Sequence, residues 1–105
     1  MTLITFHPAA AAEVTEAARF YEMRSPGLGA DLLTEVERAL VQIAANPEAS
    51  PRVGGRTQRK LLWRFPYSLL FAALPDRLRI VALAHHKRRP FYWMKRLTEE
   101  GEEDG

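Results

Sequence analysis

Apolar positions recur every three to four residues over the first 45 residues and crowd into short runs after residue 57, so the chain predicts helices first and strands later. Leu3–His7 reads as a short strand with Ile4 and Phe6 on one face. Pro8 ends it and opens a helix, because a fixed φ and a missing N–H cost nothing at the first helical position. The spacing of Val14, Ala17, Ala18 and Tyr21 carries that helix to about Met23, with Glu13, Glu16, Arg19 and Glu22 on its more exposed side. Ser25-Pro26-Gly27-Leu28-Gly29 is dense in turn residues and reverses the chain. A second helix is expected from about Ala30 to Ala45, with Leu33, Val36, Leu40 and Ile43 in one stripe, Leu32 beside it, and Asn46-Pro47 as its stop. Pro47–Arg56 then reads as a loop.

Three strands follow, at Thr57–Phe65, Tyr67–Leu74 and Leu78–Ala84. Their runs of Leu, Ile, Val, Phe and Tyr are too short and too β-branched or aromatic for helices. Pro75-Asp76-Arg77 supplies the turn between the last two. Strands joined this tightly form an antiparallel meander. The expected fold class is α+β, in the order β-α-α-β-β-β, with a helical hairpin on one face of a small, mainly antiparallel sheet. Alternation places Lys60, Leu62 and Arg64 on one face and Arg59, Leu61, Trp63 and Phe65 on the other. In the last strand Arg79, Val81, Leu83 and His85 oppose Leu78, Ile80, Ala82 and Ala84.

At 105 residues the chain is one domain able to bury a core without staples. The absence of cysteine excludes disulfides and thiolate metal sites. The N-terminal apolar stretch is broken by His7-Pro8, so neither a secretory leader nor a membrane span is expected, and the reading is a soluble cytoplasmic protein. The net charge of +2 hides a strong asymmetry. Residues 1–51 carry three Arg against seven acids, residues 52–96 carry twelve Lys or Arg against Asp76 alone, and residues 97–105 carry five acids. A basic segment interleaved with Trp63, Tyr67, Phe91, Tyr92 and Trp93 suits phosphate backbones or an acidic protein surface; the plainer reading is a solvated face.

Five stretches in order carry a resemblance: EAARFYE (Glu16–Glu22), PGLGADLLTEVERAL (Pro26–Leu40), Asn46-Pro47, RFPYSLLF (Arg64–Phe71) and ALAHHKRRPFYWMKR (Ala82–Arg96). Over about residues 3–97 the chain resembles the RelE/ParE superfamily of toxins from type II toxin–antitoxin modules, often labelled plasmid-stabilisation proteins. The resemblance implies a toxin domain over residues 1–97, and the acidic, glycine-terminated composition of 98–105 predicts a frayed tail. It also implies a cognate antitoxin as partner, held in a toxin–antitoxin hetero-oligomer. RelE-like members cleave messenger RNA on the ribosome, whereas ParE-like members inhibit DNA gyrase. The form HHKRRPFYW, His85 to Trp93, is closer to the ParE-like branch. A third possibility is a non-toxic binding module that has kept the fold.

If the chain were RelE-like, the catalytic candidates would be Arg64, His85, Arg89 and Tyr92. Cutting RNA through its 2′-hydroxyl needs a base, an acid and cations for the phosphorane. Arg56, Arg59, Lys60, Lys87, Arg88 and Arg89 are the candidates for holding nucleic acid or target. The competing reading makes His85 a strand-closing residue and lets Tyr92 and Trp93 pack the C-terminal segment onto the sheet. His86 shares these alternatives, and the histidines lack a spaced third ligand, so neither metal nor cofactor is expected. Tyr67 is read as marking the bend beside Pro66, His7 as an ordinary strand-end residue, and Trp63, Met23 and Met94 as core.

Overall fold

The computed structural model describes residues 2–99. Of the tail expected to fray at 98–105, residues 100–105 lie outside them. β1 (Ile4–Phe6) leads into α1 (Pro8–Arg24) and α2 (Leu28–Ala45), and a single 3-10 turn at Pro47–Ala49 follows. β2 (Arg52–Gly54), β3 (Thr57–Leu61), β4 (Tyr67–Leu74), β5 (Arg77–His85) and α3 (Lys95–Glu99) complete the chain. The sheet has five strands in the order β1-β5-β4-β3-β2. The α+β architecture expected from the residues is present, and α3 takes in Thr98 and Glu99, the first two residues of the tail expected to fray.

The two helices form because their apolar residues fall on one face and their ends are capped. His7 does more than end a strand, since its Nδ1 accepts the Ala9 N–H at 2.9 Å and caps α1. Glu22 takes the N–H groups of Gly27 and Gly29 at 2.9 and 3.0 Å, which satisfies the start of α2 two residues ahead of its expected position. Gly29 is obligatory, because a Cβ there would sit 2.4 Å from the Ala18 carbonyl oxygen.

Ala10 and Ala17 of α1 and Leu32, Val36, Ala39 and Ile43 of α2 pack on Leu69, Phe71, Leu78, Ile80 and Leu83 of the sheet. Full burial stabilises each large side chain by roughly 1.5–3 kcal/mol. Leu33, expected on that stripe, is exposed, and Leu32 takes its place. Met23 and Met94 are also exposed rather than core. Met23 lies off the buried stripe of α1, and Met94 falls in the turn between β5 and α3, where no strand alternation acts on it.

The sheet departs from a simple meander in three ways. β1 pairs parallel with β5, with Ile4 opposite Leu78 and Phe6 opposite Ile80. β2 is a strand where a loop was expected; three residues are too few for alternation to reveal. The third departure is a bulge in β5. Phe71 faces Ile80 and Leu70 faces Ala82, which leaves Val81 as the extra residue. The bulge resets the alternation, so Leu78 and Ile80 before it and Leu83 after it all join the helix-side core. Leu70, Ala72, Val81 and Ala82 form a second cluster on the other face, closed over by Trp93 and Leu97.

Candidate functional site

β1 covers the edge of β5 only as far as Ile80, whose carbonyl accepts the His7 N–H at 2.9 Å. Beyond that point side chains replace the missing strand. Glu13, from α1, accepts the Leu83 N–H at 3.0 Å. Arg96 donates to the Val81 carbonyl at 2.9 Å and grips both oxygens of Glu13 at 2.9 Å each. Tyr92 donates its hydroxyl to the same carboxylate at 2.8 Å. Glu13, expected on an exposed face, is therefore the mostly enclosed centre that ties α1, β5 and the C-terminal segment together. Burial first, then the hydrogen bond to Glu13 and that carboxylate's charge, push the Tyr92 phenol well above its usual range, against smaller opposing effects of Arg96 and Arg88.

The segment that follows β5 folds back under local control. Pro66 accepts the His86 N–H at 2.9 Å, and the His85 carbonyl accepts the Arg88 N–H at 2.9 Å. His85 Nδ1 accepts the Lys87 N–H at 3.0 Å. Ser68 Oγ and His86 Nε2 are hydrogen bonded at 3.2 Å. Phe91 takes a left-handed φ of 63°, which turns Trp93 onto the sheet.

Between this segment and the sheet lies a cleft of about 660 Å³. Arg59 and Leu61 of β3, Ser68 and Leu70 of β4, and Ala84 and His85 of β5 form its floor, and residues 86 and 88–93 form its wall. Arg88 lies over the Tyr92 ring at 3.9 Å. The cleft thus combines cations with aromatic and aliphatic walls, which suits an acidic chain that also carries apolar side chains.

Of the residues singled out above, Arg59, His85, Arg88, Arg89 and Tyr92 line this cleft together. Arg64 does not: its guanidinium is 3.6 Å from Asp31 and 5.5 Å over the Phe65 ring. Lys60 points to the helix side, where it lines a separate cavity of about 410 Å³ with Gln42 and Asn46. Arg56 occupies the β2–β3 turn, and Lys87 is exposed; neither lines the cleft. His85 packs edge-on against Tyr67 at 5.0 Å. Trp63 is no core anchor. It is 87% exposed, because β3 ends at Leu61 and Leu62 and Phe65 turn inward in its place.

Glu13, Glu35 and Arg96 were not anticipated. Glu35 is buried on α2 and accepts the N–H groups of both Trp63 and Arg64. A signal for the two acids was present: Glu13 lies three residues after Ala10 and four before Ala17, and Glu35 lies three after Leu32 and four before Ala39, so both sit on buried stripes. Among the described residues no group of three or more His, Cys, Asp or Glu is placed to hold a metal ion. No described helix is long and apolar enough to cross a membrane.

A helical hairpin on one face of a mixed sheet, with a basic, aromatic-walled cleft on the other, defines a small α+β protein. Residues 4–90 match the family of the ParE toxin of the type II toxin–antitoxin system parDE, and the chain belongs to that family. The solved structure titled "Chromosomal ParDE TA system from P. aeruginosa" contains a chain of the same fold. The TM-score is 0.71 at 15% identity, over 81% of this chain and 96% of that one. No curated protein sequence is significantly similar to this chain.

Proposed function

We propose that this toxin arrests growth by binding DNA gyrase in the cytoplasm, and that a cognate antitoxin neutralises it by laying an acidic segment into the basic cleft. The observation that carries the non-nucleolytic reading is that His85, Arg89 and Tyr92 share the cleft but two of the four candidate catalytic groups are not available in it. Arg64 stands off beside Asp31, and the Tyr92 hydroxyl is committed to Glu13. A general acid must be free to reach the departing oxygen. Membership in the ParE family supports the same conclusion.

One observation favours the alternative, ribosome-dependent RNA cleavage. Arg59, His85, Arg88 and Arg89 do share one cleft, and three guanidiniums and an imidazole suit a phosphodiester. Expression of the chain alone decides, with plasmid supercoiling and transcript ends mapped on the same cultures. Altered supercoiling with intact messages is expected. New ends inside translated frames with normal supercoiling would make the chain a nuclease, and harmless overproduction would make it a non-toxic binding module.

A further inference from the structure

The turn from Leu62 to Pro66 is built to display one side chain. Leu62 and Phe65 point into the helix-side core, while Trp63 between them is 87% exposed. Glu35 holds the Trp63 and Arg64 N–H groups on a single carboxylate oxygen. The Leu62 N–H donates to the Tyr67 carbonyl at 3.0 Å, and the Tyr67 N–H donates to the Phe65 carbonyl at 2.8 Å. The Pro66 carbonyl accepts from His86, which fixes the basic segment Lys87–Arg89 to the same end of the molecule. Burying a carboxylate to organise a turn is costly unless it is fully bonded. The fold gains nothing from the indole itself, which is left in water.

We propose that Trp63 is a protruding anchor that inserts into an apolar, carboxylate-rimmed pocket on the toxin's folded protein target. Three observations select that occupant. A tryptophan on a rigid turn offers a large contact area at little entropic cost, and Trp and Arg dominate the energetic centres of protein interfaces. Trp63 lines none of the described cavities, so the partner must supply the concavity. An extended or helical antitoxin segment fills clefts but has no pocket to offer, whereas a folded target does. The neighbouring charge is positive in balance: Arg64, half exposed beside Trp63, is 3.6 Å from the equally exposed Asp31, and the Lys87–Arg89 segment bonded to the same turn adds further cations, so an acidic pocket rim complements it. The proposal rests on the reading that the target is a protein, gyrase in the first instance.

The test measures the affinities of wild-type toxin, Trp63→Ala and Trp63→Phe for purified gyrase, for the cognate antitoxin and for duplex DNA, together with melting temperatures and growth arrest. Trp63→Ala is expected to weaken gyrase binding by about 30-fold or more, as loss of an interface centre does. Trp63→Phe should lose less, because it keeps an aromatic ring. Antitoxin affinity should stay within about threefold, as for an uninvolved surface position, and the melting temperature should not move. Unchanged gyrase affinity in Trp63→Ala would overturn the proposal. Parallel loss of DNA or antitoxin affinity would also overturn it, giving the indole to base stacking or to the antitoxin. If wild-type toxin does not bind gyrase, the gyrase reading fails by itself and growth arrest decides. Full toxicity of Trp63→Ala at equal expression then overturns the anchor, and loss of arrest with antitoxin binding intact supports it on another protein.

Discussion

Glu13 shows how much a single side chain can hold. Its carboxylate accepts from the Leu83 N–H, the Tyr92 hydroxyl and both terminal nitrogens of Arg96, all at 3.0 Å or less. Glu13→Ala takes the carboxylate from the mostly buried Arg96 guanidinium, which keeps the Val81 carbonyl, and from two further donors. Breaking a buried pair from one side costs about 3–5 kcal/mol, and urea unfolding of the variant should show a loss in that range. Glu13→Gln keeps an acceptor and should lose less. Tyr92 adds a pH dependence. Its phenol is held above the ordinary value of 10.0, so the folded state favours the protonated form. The stability this gives is fully present below pH about 10 and is lost as pH rises, because only the unfolded phenol ionises there. The slope should flatten in Tyr92→Phe. Tyr67 shifts in the same direction, chiefly through burial and then through Tyr21, so some slope remains in that variant. A pH-independent stability above 10 would remove the assignment.

At the scale of elements, the α1–α2 hairpin depends on a close approach rather than on apolar area alone. Gly29→Ala would press a methyl group to 2.4 Å from backbone at Ala18, which cannot retreat as a flexible side chain would. Overpacking of this kind costs about 1–3 kcal/mol, measurable by denaturant midpoint, whereas Gly29→Ser with equal stability to wild type would show that the helices can slide apart. The elements themselves were legible because their hydrophobic periods are long enough to repeat. Where the period is short or interrupted, the sequence misleads. β2 has three residues, the Val81 bulge inverts the alternation of β5, and Trp63 is phased as core but follows a strand that stops two residues earlier. The cleft was legible in part. Arg59, His85, Arg88, Arg89 and Tyr92 were named from charge and resemblance, and they converge. Glu13, which positions Tyr92, was not named: its place between Ala10 and Ala17 on the buried stripe is a weak signal, and a lone Glu on a helix reads as solvated until Arg96 arrives.

Across the whole molecule, charge is sorted by sequence and then by face. The first 51 residues are acidic in balance, residues 52–96 hold twelve cations against one acid, and the fold brings Arg59, Arg88 and Arg89 to one cleft on the side away from the helices. Such a field draws an acidic partner from a distance and is screened by salt, with a reach of about 10 Å at 0.1 M. With an antitoxin segment in the cleft as proposed, its association should slow by about tenfold or more from low to high ionic strength, while its dissociation changes far less. Arg88→Ala with Arg89→Ala should weaken that salt dependence and slow capture at low salt. On the proposed reading the same surface serves the target, so Arg89→Ala alone should lower toxicity. Both side chains are exposed, so unfolding midpoints should stay near wild type. Stopped-flow association across a salt series separates the outcomes. A rate that is salt-independent in the wild type would mean that the antitoxin is recognised by shape alone, and the cations concentrated over residues 52–96 would then have to serve the target.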